Sequence, residues 1–352
     1  MIRKILKAFG AIAALTAAIA LIESQFLVYA SSQARVFFNF PAGPTPQEIA
    51  STRMASEETV VLLAAGDIAS CKAQPSLSKA LPGTMNLFGR PTAFEYETAL
   101  ANETLALAQV WPNAPILALG DTVYGRGTPI EYEHCFEPTW GQVKTRILPT
   151  PGNHEYGSPA AFGYFDYFGI QAGPDRNGWY AITLHNWLIL SLNSEVDASL
   201  GSDQGKWLDQ QLRKHPDRCV LAFFHRPAYS LKDRGGREHA VELFKQLQQA
   251  GATLVLNGHN HFYERTKPLN EYGEPAAEGG TVAFTVGTGG RITDASQQKP
   301  QTEIAVFEKT GLLKLELRDK SYSWTYFDAV KKKSLDEGTA RCNLNRPGFT
   351  EE

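Results

Sequence analysis

The sequence predicts a layered α/β domain, and three observations predict it. Seven short apolar runs rich in Val, Leu and Ile each stop at Gly, Asp, Asn or His. Helix-like segments lie between several of them, which is the order of βαβ units, and continuous apolar strands belong to sheets covered on both faces. After residue 300 the pattern changes to the polar and apolar alternation of antiparallel strands in "EIAVFEKTGLLKLELRDKSYSWTYFDA", so the last strands are expected to extend a sheet edge.

Taken in order, "MIRKILK" carries Arg3, Lys4 and Lys7 and runs into the apolar stretch "AFGAIAALTAAIALI". A positive start, 15 apolar residues and small residues ending at Ala30 predict a secretory signal over residues 1–30, with an uncleaved N-terminal membrane anchor as the alternative. Removing it takes away three bases and Glu23, moving the formal charge from −3 to −5. An exported protein, periplasmic or secreted and free of the membrane after cleavage, is expected. Residues 31–58 are Pro-punctuated and without period, and read as an extended linker. The domain proper is expected over residues 59–352.

The runs follow: "TVVLLAAGD", "PILALGD", "RILPTPGNHE", "WLILSLNSE", "CVLAFFHRP", "TLVLNGHNH" and "TVAFTVGTGG". Helices are predicted in "FEYETALANETLALAQ", in "SDQGKWLDQQLRKH" with a Ser or Asp cap, and in "REHAVELFKQLQQAG" with a terminal Gly. There is no internal repeat. At 43% hydrophobic residues the chain has ample material for a core, and its mixed charges leave no basic stripe of the kind nucleic acids attract.

Four cysteines in an exported chain suggest two disulfides. Three connectivities are open by count. Cys71 with Cys135 is favoured because each follows a candidate active-site turn, leaving Cys219 with Cys342. The CxxC spacing of a cysteine-ligated zinc is absent.

Ligands of open α/β sheets collect at the carboxyl ends of strands. There the runs place Asp67, Asp121, Asn153 with His154, His225, and His259 with His261. Two carboxylates, an amide oxygen and several imidazoles suit zinc, iron or manganese, and they are too many for one tetrahedral ion. A two-metal site is the economical reading. Serine catalysis is disfavoured, since the chain has no Gly-x-Ser-x-Gly elbow.

Gly66-Asp67, Gly120-Asp121-Thr122-Val123-Tyr124, Gly152-Asn153-His154-Glu155, His225 and Gly258-His259-Asn260-His261 resemble the five signature blocks of calcineurin-like metallophosphoesterases. More narrowly they resemble the purple acid phosphatase branch, because Asp67-Ile68-Ala69 lacks the histidine common in the wider superfamily and Tyr124 takes the compensating place. The "HFYER" after His259 is similar to that branch as well. The resemblance covers roughly residues 59–345. It implies an α/β/β/α sandwich with two central mixed sheets flanked by helices. Residues 31–58 are too short for the N-terminal β-sandwich of plant members, so a minimal, bacterial-type exported version is expected.

The resemblance further implies that Asp67, Asp121, Tyr124 and His261 hold one metal. Asp121, Asn153, His225 and His259 would hold the other, with Asp121 bridging. A phenolate favours Fe(III), and the neutral donors favour a divalent Fe, Zn or Mn. His154 would be the catalytic donor to substrate, Asn153 would contact the phosphate, and Glu155 would orient its neighbours. Arg226 stands where many relatives carry a small residue and is expected either to clamp a phosphate oxygen or to form a salt bridge at the surface, and Arg265 and Glu264 are expected either to support the ligands or wall the pocket, or to lie at the surface. Tyr156, Tyr229 and Tyr263 are expected either to wall the pocket or to pack in the core. The implied reaction is metal-assisted hydrolysis of a small phosphate ester, with water shared between cations roughly 3.5–4 Å apart attacking phosphorus in line. Phosphomonoesterase activity is the first expectation. Phosphodiesterase activity on the same site and a catalytically inactive metal- or phosphate-binding protein are the alternatives.

Overall fold

Side chains alternate across a strand, so one β-strand can feed two cores. In β1 (Val60–Ala65), Val60, Leu62 and Ala64 face one apolar cluster while Leu63 and Ala65 face another. The computed structural model describes residues 43–54, 59–73, 94–96, 99–294, 296–297 and 299–344. The expected signal or anchor lies outside these residues. Among them no helix is long and apolar enough to cross a membrane.

Two sheets stack face to face. The first has six strands, in the order β15 (Ser334–Arg341), β14 (Ser321–Asp328), β13 (Gly311–Leu317), β1, β4 (Ile116–Leu119) and β5 (Ile147–Thr150). Its β1, β4 and β5 are parallel, and β13 joins β1 antiparallel, with Leu62 opposite Leu315. The late strands therefore extend a sheet edge, as the alternating pattern predicts. The second sheet has seven strands. Their order is β12 (Thr302–Val306), β10 (Tyr263–Thr266), β11 (Val282–Val286), β9 (Leu254–Asn257), β8 (Cys219–Phe223), β7 (Trp187–Ser191) and β6 (Tyr180–Leu184). Here β7, β8, β9 and β11 are parallel and the rest antiparallel. A short ribbon pairs β2 (Cys71–Ala73) with β3 (Phe94–Tyr96).

Leu117, Leu119, Leu148, Leu221, Phe223, Leu254 and Leu256 fill the space between the sheets. Each such side chain contributes roughly 1.5–3 kcal/mol by leaving water. The helix Ala99–Ala108 and the aromatic segment around Tyr132, Phe136, Tyr164 and Phe168 cover the outer face of the first sheet. Helices Asp203–Lys214 and Glu238–Gln249 cover the second through Leu208, Leu212, Leu243 and Leu247. The result is the expected α/β/β/α sandwich. Ser202 caps its helix by accepting from the Gly205 N–H, and the last helix gives way to Gly251 at φ 72.

The extended-linker reading of residues 31–58 is corrected in its described part. Pro46–Met54 is an α-helix whose Ile49 and Ala50 enter the core between the sheets. Thr45 and Glu48 form a reciprocal capping pair: the Glu48 N–H donates to Thr45 Oγ1 at 3.2 Å, and the Thr45 N–H donates to Glu48 Oε2 at 2.7 Å. Gln47 meets both backbone groups of Thr183, at 3.0 and 3.1 Å, and so closes the edge strand β6.

Cys219 and Cys342 form a disulfide with Cα atoms 5.7 Å apart. Cys135 is also disulfide-bonded. Its favoured pairing with Cys71 falls on a side chain outside the described residues.

Candidate metal centre

Because β1, β4 and β5 run parallel side by side, Asp67, Asp121 and Asn153 leave the same edge of the first sheet. Parallel β8 and β9 deliver His225 and His259 from the second. The strand ends turn sharply. Asp67, Asp121 and His259 adopt left-handed backbone, with φ of 60, 47 and 67, a costly conformation for non-glycine residues that concentrates at functional sites. Gly152 and Gly258 are required by close approach. A Cβ on Gly152 would stand 2.6 Å from the Asp121 nitrogen, and one on Gly258 would stand 2.7 Å from Asp67 Oδ2.

The polar atoms gather in two groups. In the first, the Tyr124 hydroxyl donates to Asp67 Oδ1 at 2.5 Å and lies 3.0 Å from His261 Nε2, which is 3.3 Å from the same carboxylate oxygen. In the second, His225 Nε2 stands 3.2 Å from Asn153 Oδ1, 3.2 Å from Asp121 Oδ2 and 3.3 Å from His259 Nδ1. Ligands bonded at about 2.0–2.1 Å around a tetrahedral ion are themselves about 3.3 Å apart. The His225 Nδ1–H donates to the Leu119 carbonyl at 2.9 Å, which leaves Nε2 to a ligand role. Asp67 joins the two groups, since its Oδ2 accepts the His259 N–H at 2.7 Å.

The electrostatics call for a cation. Burial raises the pKa of Asp67 and Asp121, but the surrounding histidines outweigh it and hold both below the usual carboxylate range. Burial alone would lower His225, yet the two carboxylates push it up to about 10. Burial and the charge on His225 take His259 down to about 3. The Tyr124 phenol is held well above its ordinary value by burial and by both carboxylates. Buried anions that hold protons on their neighbours are a site in which metal binding displaces protons. The donor set fits two borderline or hard cations.

Around the donors, His154 donates Nδ1–H to the Gly125 carbonyl at 2.9 Å, so its Nε2 faces the centre, 3.9 Å from Asp121 Oδ2. Its side chain is 35% exposed, within reach of a ligand from solvent. Buried Glu155 accepts the N–H groups of Asp121, Thr122 and Gly152 at 2.9, 2.8 and 2.6 Å. Arg226 is fixed by Glu195 at 2.8 Å and stands 3.4 Å from His259 Nε2.

Arg265 requires a correction, since it does not support the ligands. Strand alternation turns it toward Asp336, which it binds at 2.8 and 3.1 Å while lying over the Trp324 ring. Tyr263, on the same face, stacks on Tyr326 in the core. Glu264 points the other way and ties down the loop after β8 through Ser230 Oγ and the Leu231 N–H. Tyr229 packs on Phe244, and Tyr156 hydrogen-bonds Asn193. Sequence reasoning missed Arg234, whose Nη1 lies 3.4 Å from His261 Nε2, and Arg291, stacked 4.2 Å from the Tyr124 ring centre. Arg234 has no motif around it, whereas Arg291 directly follows the run ending at Gly290, a position that could have marked it.

The chain belongs to the calcineurin-like phosphoesterase family, whose pattern it matches over residues 63–263, more than half its length. Purple acid phosphatases are among its relatives. It is 25% identical over 211 residues to probable purple acid phosphatase 20 of Arabidopsis thaliana, covering 52% of this chain and 49% of that one. It is 29% identical over 200 residues to purple acid phosphatase 18 of the same plant, covering 51% and 45%. The structure is similar to that of the purple acid phosphatase PPD1 from yellow lupin seeds, with a TM-score of 0.62 at 16% identity over 80% of this chain and 54% of that one. The chain thus spans about half the length of the curated relatives it matches.

Proposed function

We propose that the protein is a binuclear metal-dependent phosphoric ester hydrolase acting as a phosphomonoesterase. The observation that carries this reading is the pair of donor groups, Asp67, Tyr124 and His261 beside Asp121, Asn153, His225 and His259, gathered from five strand ends. Asp67, Tyr124 and His261 would hold an Fe(III) ion and Asn153, His225 and His259 a divalent ion, with Asp121 serving both. The two ions would supply Lewis acidity and a water of lowered pKa.

The chain's own groups do the rest. His154 Nε2 faces the centre and exchanges a proton with the leaving oxygen, while its Nδ1–H on Gly125 fixes the ring. The amide of Asn153 orients a phosphate oxygen. Arg226, held with Nε on Glu195 and Nη1 on the Gly235 carbonyl, stands beside His259 and would donate to another. Glu155 keeps Asp121 and Gly152 in place.

A disulfide between Cys219 and Cys342 supports placement in an oxidising compartment, outside the cytoplasm. The test is the hydrolysis of p-nitrophenyl phosphate against bis(p-nitrophenyl) phosphate by protein loaded with iron, zinc or manganese. Preference for the monoester supports the reading. Preference for the diester replaces it with a phosphodiesterase on the same site, and no turnover with metals bound replaces it with a binding protein.

A further inference from the structure

Beside His259 the loop after β8 encloses a small cavity of about 50 Å³, on a measure by which one water needs roughly 10–15 Å³. Its lining is strongly one-signed. Arg226, Lys232, Arg234, Arg237 and Lys299 line it with a single acid, Asp233. Asp233 is taken by Arg237 at 3.0 Å, and Arg226 by Glu195, which lies outside the lining. Glu264, behind the wall, is occupied by Ser230, Leu231 and Thr302.

Among the described residues, three cations remain with only neutral partners. Lys232 Nζ bonds Thr293 Oγ1 and the Asp294 carbonyl at 3.2 Å each, and Lys299 Nζ bonds the Ser230 carbonyl at 2.8 Å. Arg234 Nη1 bonds the His259 carbonyl at 2.9 Å. Arg234 and Arg226 also stand 3.4 Å from His261 and His259. Cations that line one small cavity beside a cation-binding centre repel unless an anion lies among them.

From this we infer that the cavity is an anion subsite, and that the preferred substrates carry a second phosphate or comparable anionic group next to the one being cleaved. One phosphate sits at the metal centre against Arg226, and the second is held by Lys232, Arg234 and Lys299. The inference rests on the phosphate-ester reading of the centre and narrows its substrate class. Lysine ammoniums suit such a role as point charges, and the guanidinium of Arg234 spans the two positions.

Calorimetry on the metal-loaded protein tests it, with methylenediphosphonate and methylphosphonate as non-hydrolysable probes. The native protein should bind the diphosphonate on the order of tenfold more tightly or better, as the added charge-assisted hydrogen bonds would imply. Lys232→Gln with Lys299→Gln should abolish that preference while leaving methylphosphonate affinity and p-nitrophenyl phosphate turnover unchanged. Equal affinity for both probes in the native protein would overturn the inference, as would a preference that survives in the double variant. Failure of the hydrolase reading shows separately, as absent p-nitrophenyl phosphate turnover with diphosphonate binding intact.

Discussion

The carboxylate of Glu155 accepts the backbone N–H of Asp121 at 2.9 Å, and thereby holds the left-handed turn from which Asp121 reaches the centre. The same carboxylate takes the Thr122 and Gly152 N–H groups, so one side chain locks two strand ends together. In Glu155→Gln an amide N–H₂ would face these donors. The variant should lose the thermal midpoint by on the order of 5–10 °C and bind metal more weakly, as read by differential scanning fluorimetry and metal analysis. An unchanged metal content would show that Glu155 does not position Asp121.

Asp336 ties Arg265, Tyr263 and Trp324 together across β10, β14 and β15. Burial raises its pKa, but Arg265 and the Tyr263 hydroxyl outweigh that and hold it below the ordinary carboxylate value. An acid with a depressed folded pKa stabilises above its unfolded pKa of about 3.9, and that contribution is lost as pH falls through the folded value. Asp336→Asn should therefore lower the melting temperature at pH 7 and converge with the native protein as pH falls through the depressed folded value. Metal content at neutral pH should stay the same. Loss of metal on Arg265→Ala, without loss of stability, would restore the ligand-supporting role.

The strand ends were legible in the sequence because Asp67, Asp121, Asn153 and His259 each follow an apolar run at a Gly and His225 ends one, and the order of the runs reproduces the two parallel sets β1, β4, β5 and β7, β8, β9. The Cys219–Cys342 pair was reached by elimination. The helix Pro46–Met54 was missed although Thr45-Pro46-Gln47-Glu48 carries a capping box with Pro at the first helical position, because the absence of an apolar period outweighed it. Arg265 was misplaced because proximity to His259 in sequence says nothing of which face of β10 it takes. Arg234 and Lys299 lie 65 residues apart and meet only through the fold.

Tyr124 separates a ferric centre from an all-divalent one. With iron loaded, the protein should show a visible charge-transfer band that Tyr124→Phe removes. An active, colourless, iron-free native enzyme would eliminate the tyrosinate assignment.

The Cys219–Cys342 bridge closes a sequence separation of 123 residues between β8 and the segment after β15. A double substitution to Ala should cost about 2–5 kcal/mol of stability, seen as a lower denaturant midpoint. The metal centre, at the opposite end of β8, should keep its ions. Equal midpoints with and without reductant would show that the bridge is absent from the folded protein.

On the proposed reading Asp121 serves two ions at once, and counting metals per chain alongside p-nitrophenyl phosphate turnover tests this most directly. The native protein should hold two ions and turn over the ester, whereas Asp121→Ala should lose metal and activity together and remain folded. Turnover retained by Asp121→Ala, or by native protein stripped of metal, would contradict the account.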